Sequence, residues 1–149
     1  MKLEEEIKQK KFENNYQKAH LNVLFTSNWL TDKFKVIFKG FGITSQQYNV
    51  LRILRGKHPV CCAAGDIKEV MIDQSPDLTR LIDRLIEKGY VTRDVCEENR
   101  RKLDIAITDK GLALIKEIDP GIKVQFKQMK KISDKEAIEL NRILDKMRG

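Results

Sequence analysis

A mainly α-helical fold with one small β-hairpin is what this 149-residue sequence predicts, and three observations carry that expectation. Apolar residues recur at helical spacing along most of the chain. Two alternating stretches, Tyr90 to Cys96 and Lys102 to Thr108, interrupt that pattern on either side of a charged tip, Glu97 to Arg101. Capping residues stand where the helical patterns begin, at Thr44, Ser75, Thr108 and Ser133. The order is a long helix, a helix-turn-helix with a two-stranded wing, and two terminal helices.

The first helical pattern runs from Leu3 to Phe38. Tyr16, Val23, Leu30 and Ile37 fall seven residues apart, with Phe34 between the last two and Leu24, Phe25 and Trp29 beside the stripe. One neighbouring helix cannot cover so much apolar surface, so part of it is expected to meet another subunit. Gly40-Phe41-Gly42 breaks the helix. Thr44-Ser45-Gln46-Gln47 is a capping box that opens a helix from Ser45 to Arg55, with Tyr48, Leu51 and Leu54 inward, and Gly56-Lys57-His58-Pro59 closes it. Val60 to Cys62 reads as a short strand, Ala64 to Val70 as a brief helix and Met71 to Gln74 as a turn.

Gln74 to Lys88 is the most informative stretch. Leu78, Leu81, Ile82 and Leu85 form one apolar face, and Asp77, Thr79, Arg80, Asp83 and Arg84 point the other way. Ser75 is expected to cap this helix, Pro76 to take its first position and Gly89 to end it. The strands follow, with Leu103, Ile105 and Ile107 alternating. Thr108 caps a helix bearing Leu112, Ile115, Ile118, Ile122, Phe126 and Met129, with a bend expected at Pro120-Gly121. Ser133-Asp134-Lys135-Glu136 is a second capping box, and Ala137, Leu140, Ile143, Leu144 and Met147 give the last helix its apolar face.

A short, capped, Arg-bearing helix running into a ribbon tipped with Asn99, Arg100, Arg101 and Lys102 is how a winged helix-turn-helix reads double-stranded DNA. A net charge of +7 and a pI near 9.3 favour a polyanionic partner. The plainer alternatives are a solvated helix face, with Arg84 pairing to Asp83 or Glu87, and an ordinary polar hairpin. Asp77 has two readings as well. It can accept from a cytosine amino group or, more simply, stabilise the first helical turn.

At 17.4 kDa the chain has room for one domain with a real core. No apolar run approaches the roughly 18 residues needed to span a bilayer, and the mixed-charge N-terminus does not resemble a signal peptide, so a cytoplasmic protein that avoids membranes is expected. Cys61, Cys62 and Cys96 suit reduced thiols better than a disulfide framework. His20 and His58 have no metal-ligand spacing around them, and neither metal nor cofactor is expected. With no phosphate loop, nucleophile elbow or zinc-hydrolase motif, the chain does not read as an enzyme.

Leu78-Thr79-Arg80-Leu81-Ile82-Asp83-Arg84-Leu85-Ile86-Glu87-Lys88-Gly89-Tyr90-Val91-Thr92-Arg93, then Asn99-Arg100-Arg101 and Ile107-Thr108-Asp109-Lys110-Gly111, resembles the MarR family of winged-helix transcriptional regulators. Gly42-Ile43-Thr44 with Gln47 and Leu51 extends the likeness over residues 42–111. It implies one domain over 1–149, divided into an N-terminal dimerisation arm (1–41), a winged helix-turn-helix (42–108) and C-terminal dimerisation helices (109–149). It also implies a homodimer on a palindromic operator. Ser75, Asp77, Thr79, Arg80 and Arg84 would face the major groove, and Arg100 or Arg101, flanked by Asn99 and Lys102, the minor groove. One position departs from the family's pattern: its wing begins with Asp, whereas Asn99 can hydrogen-bond but not pair charges. The resemblance further implies a repressor released by a small aromatic or phenolic ligand, with Phe25 and Trp29 as candidate contacts. The alternatives are a thiol- or metal-responsive regulator using Cys61 and Cys62, and a protein-interaction adaptor.

Overall fold

The computed structural model describes residues 1–73, 77–95 and 103–149. Helices α1 (Leu3–Glu6), α2 (Asn15–Gly40), α3 (Ser45–Lys57), α4 (Ala64–Val70), α5 (Leu78–Glu87), α6 (Asp109–Met129) and α7 (Asp134–Arg148) surround strands β1 (Cys62–Ala63), β2 (Val91–Val95) and β3 (Leu103–Ile107). The expected mainly α, winged helix-turn-helix class is therefore observed. The wing strands belong to a three-stranded antiparallel sheet of order β1-β3-β2, rather than to a free ribbon. Cys62 lies opposite Ile105, and Val91 opposite Ile107.

The core forms where α3 meets everything else. Val50, Leu51 and Leu54 of α3 are buried against Ile67 of α4, Ile82 and Leu85 of α5, Val91 and Ile105 of the sheet, and Ile115 and Ile118 of α6. Burying side chains of this size stabilises by about 1.5–3 kcal/mol each before entropy is counted. Ile53 is buried too, so α3 is apolar over a wider arc than Tyr48, Leu51 and Leu54 alone suggest. It also extends two residues past Arg55, to Lys57. Phe38 of α2 stacks on Tyr48 at 4.5 Å between ring centroids, and Phe34 meets Phe126 of α6 at 5.2 Å.

Three expectations about boundaries need correction. The N-terminal helix is not continuous from Leu3: α1 ends at Glu6, Lys8 takes a φ of 54°, and α2 begins at Asn15. A continuous helix would set Lys8 and Lys11 one turn apart, where like charges repel. Asn14 offers an alternative, its Oδ1 accepting the Gln17 N–H at 2.9 Å while Gln17 Oε1 accepts the Glu13 N–H at 2.9 Å. Glu4 of α1 then folds back to pair with Lys18 of α2. Second, the short strand is Cys62–Ala63, not Val60 to Cys62; Val60 is exposed. Third, α5 starts at Leu78 with Asp77 as its cap, so neither Ser75 as cap nor Pro76 as first helical residue holds. Ser75 and Pro76 themselves lie outside the described residues.

The C-terminal helices follow the sequence closely. Thr108 Oγ1 accepts the Gly111 N–H at 3.1 Å, and Ser133 and Glu136 form the second capping box. Helix α6 runs on through Pro120-Gly121, and a Cβ at Gly121 would come within 3.3 Å of Ile37 Cγ2 on α2. Much apolar surface is left open, including Tyr16 and Leu24 on α2, Val124 and Phe126 on α6, and Ile138, Leu140 and Met147 on α7. Helix α7 buries none of its residues. Among the described residues, no helix is long and apolar enough to cross a membrane.

Candidate nucleic-acid interface

The presentation of α5 follows from its two faces. Leu78, Ile82 and Leu85, at i, i+4 and i+7, are buried against α3 and α4, which leaves Thr79, Arg80 and Arg84 exposed. The start of the helix is fixed by Asp77, whose Oδ1 accepts the Arg80 N–H at 3.2 Å. Its carboxylate is thereby engaged as a cap, the simpler of its two sequence readings. The end is fixed by a Schellman motif. Gly89, at a φ of 73°, donates its N–H to Ile86 O at 2.8 Å, and Tyr90 donates to Leu85 O at 3.0 Å. A side chain at Gly89 would meet the left-handed penalty, so glycine is the fitting residue there.

Two lysines then clamp this turn. Lys88 Nζ donates to Gly42 O ahead of α3, and Lys110 Nζ donates to Lys88 O at 2.7 Å while lying 5.1 Å from the Tyr90 ring centroid. The turn is also tied to α6, because Thr108 Oγ1 donates to Gly89 O at 2.8 Å and Thr108 N–H to Tyr90 O at 3.1 Å. Helix α5 is thus held at both ends and along its back. Rigid backing is what lets exposed side chains be placed to within a fraction of an ångström for recognition.

In front of α5 lies an open cleft of about 260 Å³, lined by Thr44 and Gln46 from the start of α3 and by Asp77, Arg80, Leu81 and Arg84. Thr44 is held by its capping box, accepting the Gln47 N–H at 3.1 Å and donating its own N–H to Gln47 Oε1 at 3.0 Å. The first turn of α3 therefore faces the same space as the arginines. Sequence reasoning named Arg80 and Arg84 but not Thr44 or Gln46. The capping box was the available signal, since it marks a helix N-terminus at the same edge as α5.

Neither Arg80 nor Arg84 is held in an ion pair among the described residues. The expected alternative, Arg84 paired to Asp83 or Glu87, is not what forms. Asp83 instead takes Arg93 of β2, Oδ1 to guanidinium nitrogen at 2.8 Å. Asn99, Arg100, Arg101 and Lys102 of the expected wing contact fall outside the described residues, as does Cys96. Phe25 and Trp29 are half-buried on α2, with Lys33 Nζ 5.6 Å from the Trp29 ring centroid. They sit on a helix that packs on α3 and α6.

The positive charge is not concentrated on this body. Residues 42–108 hold 11 basic and 10 acidic side chains, so nearly all of the +7 resides in the flanking helices. A polyanion would be engaged here through the placement of a few cations rather than through a broad basic field.

The two adjacent cysteines point apart. Cys62 is buried on β1, whereas Cys61, the residue before the strand, is exposed. Burial pushes the Cys62 thiol above its ordinary pKa, with the Lys57 charge opposing more weakly. Less thiolate means less reactivity. Accordingly, in a Cys96→Ser background, Cys61→Ser should remove the fast phase of labelling by a thiol reagent at pH 8, whereas Cys62→Ser should leave it; the reverse result would contradict this burial. Among the described residues, no group of three or more His, Cys, Asp or Glu is arranged to hold a metal ion.

Comparison with known proteins agrees with this geometry. The sequence model of the MarR family matches residues 43–103. The HTH-type transcriptional regulators PapX of Escherichia coli and PecS of Dickeya dadantii are 27% and 28% identical over 92 and 83 residues, or 62% and 55% of this chain. The matched spans cover 56% and 50% of those proteins, so the chain spans about half the length of the curated relatives it matches. A MarR transcription factor from Planctomyces limnophilus is 35% identical, with a TM-score of 0.69, and the alignment covers 91% of this chain and 98% of that one. On that sequence identity, that coverage and the shared winged architecture, the chain belongs to the MarR family of transcription regulators.

Proposed function

We propose that this protein is a cytoplasmic, homodimeric repressor that binds a palindromic operator in double-stranded DNA. Helix α5 enters the major groove with Thr79, Arg80 and Arg84 toward the bases, and Arg100 or Arg101 reaches the minor groove. The observation that carries this is the pair of exposed arginines, without ion-pair partners among the described residues, on a helix buried along its back and capped at both ends. Support also comes from the MepR–DNA complex of S. aureus, which shares the fold at a TM-score of 0.77 and 20% identity. An adaptor would have no use for such a face. Selection of bound duplexes from a random library at low salt tests the reading. Two inverted half-sites centred about one helical turn apart are expected. Retention of no duplex would favour the adaptor, and a single unrepeated half-site would remove the dimer.

A small aromatic or phenolic ligand is the proposed signal for release, bound near Phe25 and Trp29 where α2 leads into the winged body. Support comes from BpsR of Bordetella bronchiseptica, a neighbour of the same fold (TM-score 0.77, 22% identity) whose DNA binding is regulated by 6-hydroxynicotinic acid. A ligand preferring a dimer with wrongly spaced α5 helices would weaken DNA binding by its preference between the two states, typically about 1–3 kcal/mol. Trp29 is the chain's single tryptophan, so its fluorescence reports on that locality alone. A phenolic carboxylate should quench it and weaken the DNA complex over one concentration range. Release that instead required free Cys61 or Cys62, with aromatic compounds inert, would replace this signal by a thiol one.

A further inference from the structure

Asp83 sits on α5 between Arg80 and Arg84, and its position creates a problem for any role of Arg80 in recognition. An Asp three residues after an Arg on a helix lies within reach of it, and a carboxylate beside a guanidinium competes directly with a base edge or a phosphate. The fold resolves this from outside the helix. Arg93, four residues beyond the Gly89 turn, returns on β2 and takes the Asp83 carboxylate at 2.8 Å. Asp77, one turn before Arg80, is engaged as the helix cap, its Oδ1 accepting the Arg80 backbone N–H at 3.2 Å. Glu87 remains, exposed, one turn past Arg84.

We infer that Arg93 is a positioning residue for DNA recognition: by holding Asp83 it keeps the Arg80 guanidinium available, and it fastens the first wing strand to the reading helix in the same contact. The inference rests on the DNA-reading role proposed for α5. It differs from a simple wing anchor in one consequence. Without Arg93, Asp83 becomes an internal competitor for Arg80, and deleting the competitor should then restore what was lost.

The experiment compares the parent with Arg93→Gln, Arg93→Lys, Asp83→Asn and the double variant Asp83→Asn/Arg93→Gln, using a duplex the parent selects. Arg93→Gln should weaken binding about tenfold or more, the scale of one good bidentate contact. Arg93→Lys keeps a cation for Asp83 and should bind close to the parent. Asp83→Asn and the double variant should return to within about threefold of the parent, consistent with a bidentate contact being regained rather than lost. If the double variant binds as poorly as Arg93→Gln, Arg93 acts as an anchor or a direct phosphate contact, and the inference is overturned. A second readout needs no DNA. The Arg80 Nε–Hε resonance in the free protein should shift and rigidify in Arg93→Gln and revert in the double variant; an unmoved resonance overturns the inference even where affinities follow. Should the parent bind no duplex while this resonance behaves as described, the positioning contact stands and the DNA reading fails.

Discussion

Replacing Gly111 with alanine should destabilise this protein by about 2 kcal/mol or more, the cost of forcing backbone apart in a close-packed site. The expectation runs against local propensity, which favours Ala over Gly inside a helix by about 1 kcal/mol. Contact geometry decides the sign. A Cβ at Gly111 would collide with Tyr90 O, a backbone atom already accepting the Thr108 N–H, and would stand 2.7 Å from Ile107 Cγ1. Neither neighbour can swing aside, so α6 would have to lift off the turn that ends α5. The midpoint of thermal unfolding should fall by roughly 4–8 °C for a chain of this size. Gly121→Ala is the control, because there the nearest atom is Ile37 Cγ2 at 3.3 Å, the end of a side chain on another helix. A Gly111→Ala protein as stable as the parent would show that α6 does not approach Tyr90 so closely.

The second large effect is expected from Arg80→Ala and Arg84→Ala. Each bidentate base contact is worth about 1–3 kcal/mol of discrimination. A symmetric dimer carries every substitution twice, once per half-site, so a single codon change should cost the complex about 2–6 kcal/mol when the contacts act independently. The loss should alter which bases are preferred at one position of each half-site. Arg101→Ala should instead weaken all duplexes alike and reduce the salt slope, because a cation near phosphate contributes through counterion release. Selection profiles measured at two salt concentrations separate these outcomes. Unchanged base preference in both helix variants would remove Arg80 and Arg84 from the reading face.

What could be read from the sequence was local. Thr44 with Gln47 and Ser133 with Glu136 satisfy each other's backbone groups within four residues, so their capping boxes needed no tertiary information. The bounds of α4 and the alternation of Ile105 and Ile107 belong to the same class. Position 77 was harder. Ser75 and Asp77 both suit a cap, and the structure chooses the one that lets Leu78 reach the core as the first helical residue. The break between α1 and α2 was signalled by Asn14 and Gln17, and the apolar stripe from Tyr16 to Ile37 lies wholly within α2, so nothing in that period supported extending the helix back to Leu3. The partner of Asp83 lay beyond local reasoning, since Arg84 and Glu87 are close in sequence while Arg93 arrives only through the Gly89 turn. The exposed face of α5 was therefore legible from local spacing, and the Arg93–Asp83 pair was not.

Helix α7 has a consequence for how this chain folds. Fifteen residues of helix without a single buried side chain have little to hold them, because isolated helices of that length are marginal in water even with good caps. The order of α7 then depends on what covers Ile138, Leu140 and Met147, and for the proposed cover, a second copy of the chain, that dependence is one of concentration. On that proposal the body around α3, whose buried core comes from one chain, would hold together independently of protein concentration. The terminal helix would instead obey mass action. Dilution should fray the molecule from its C-terminal end inward, reducing helicity before the core melts, so the amount of protein present sets how much of each molecule is folded.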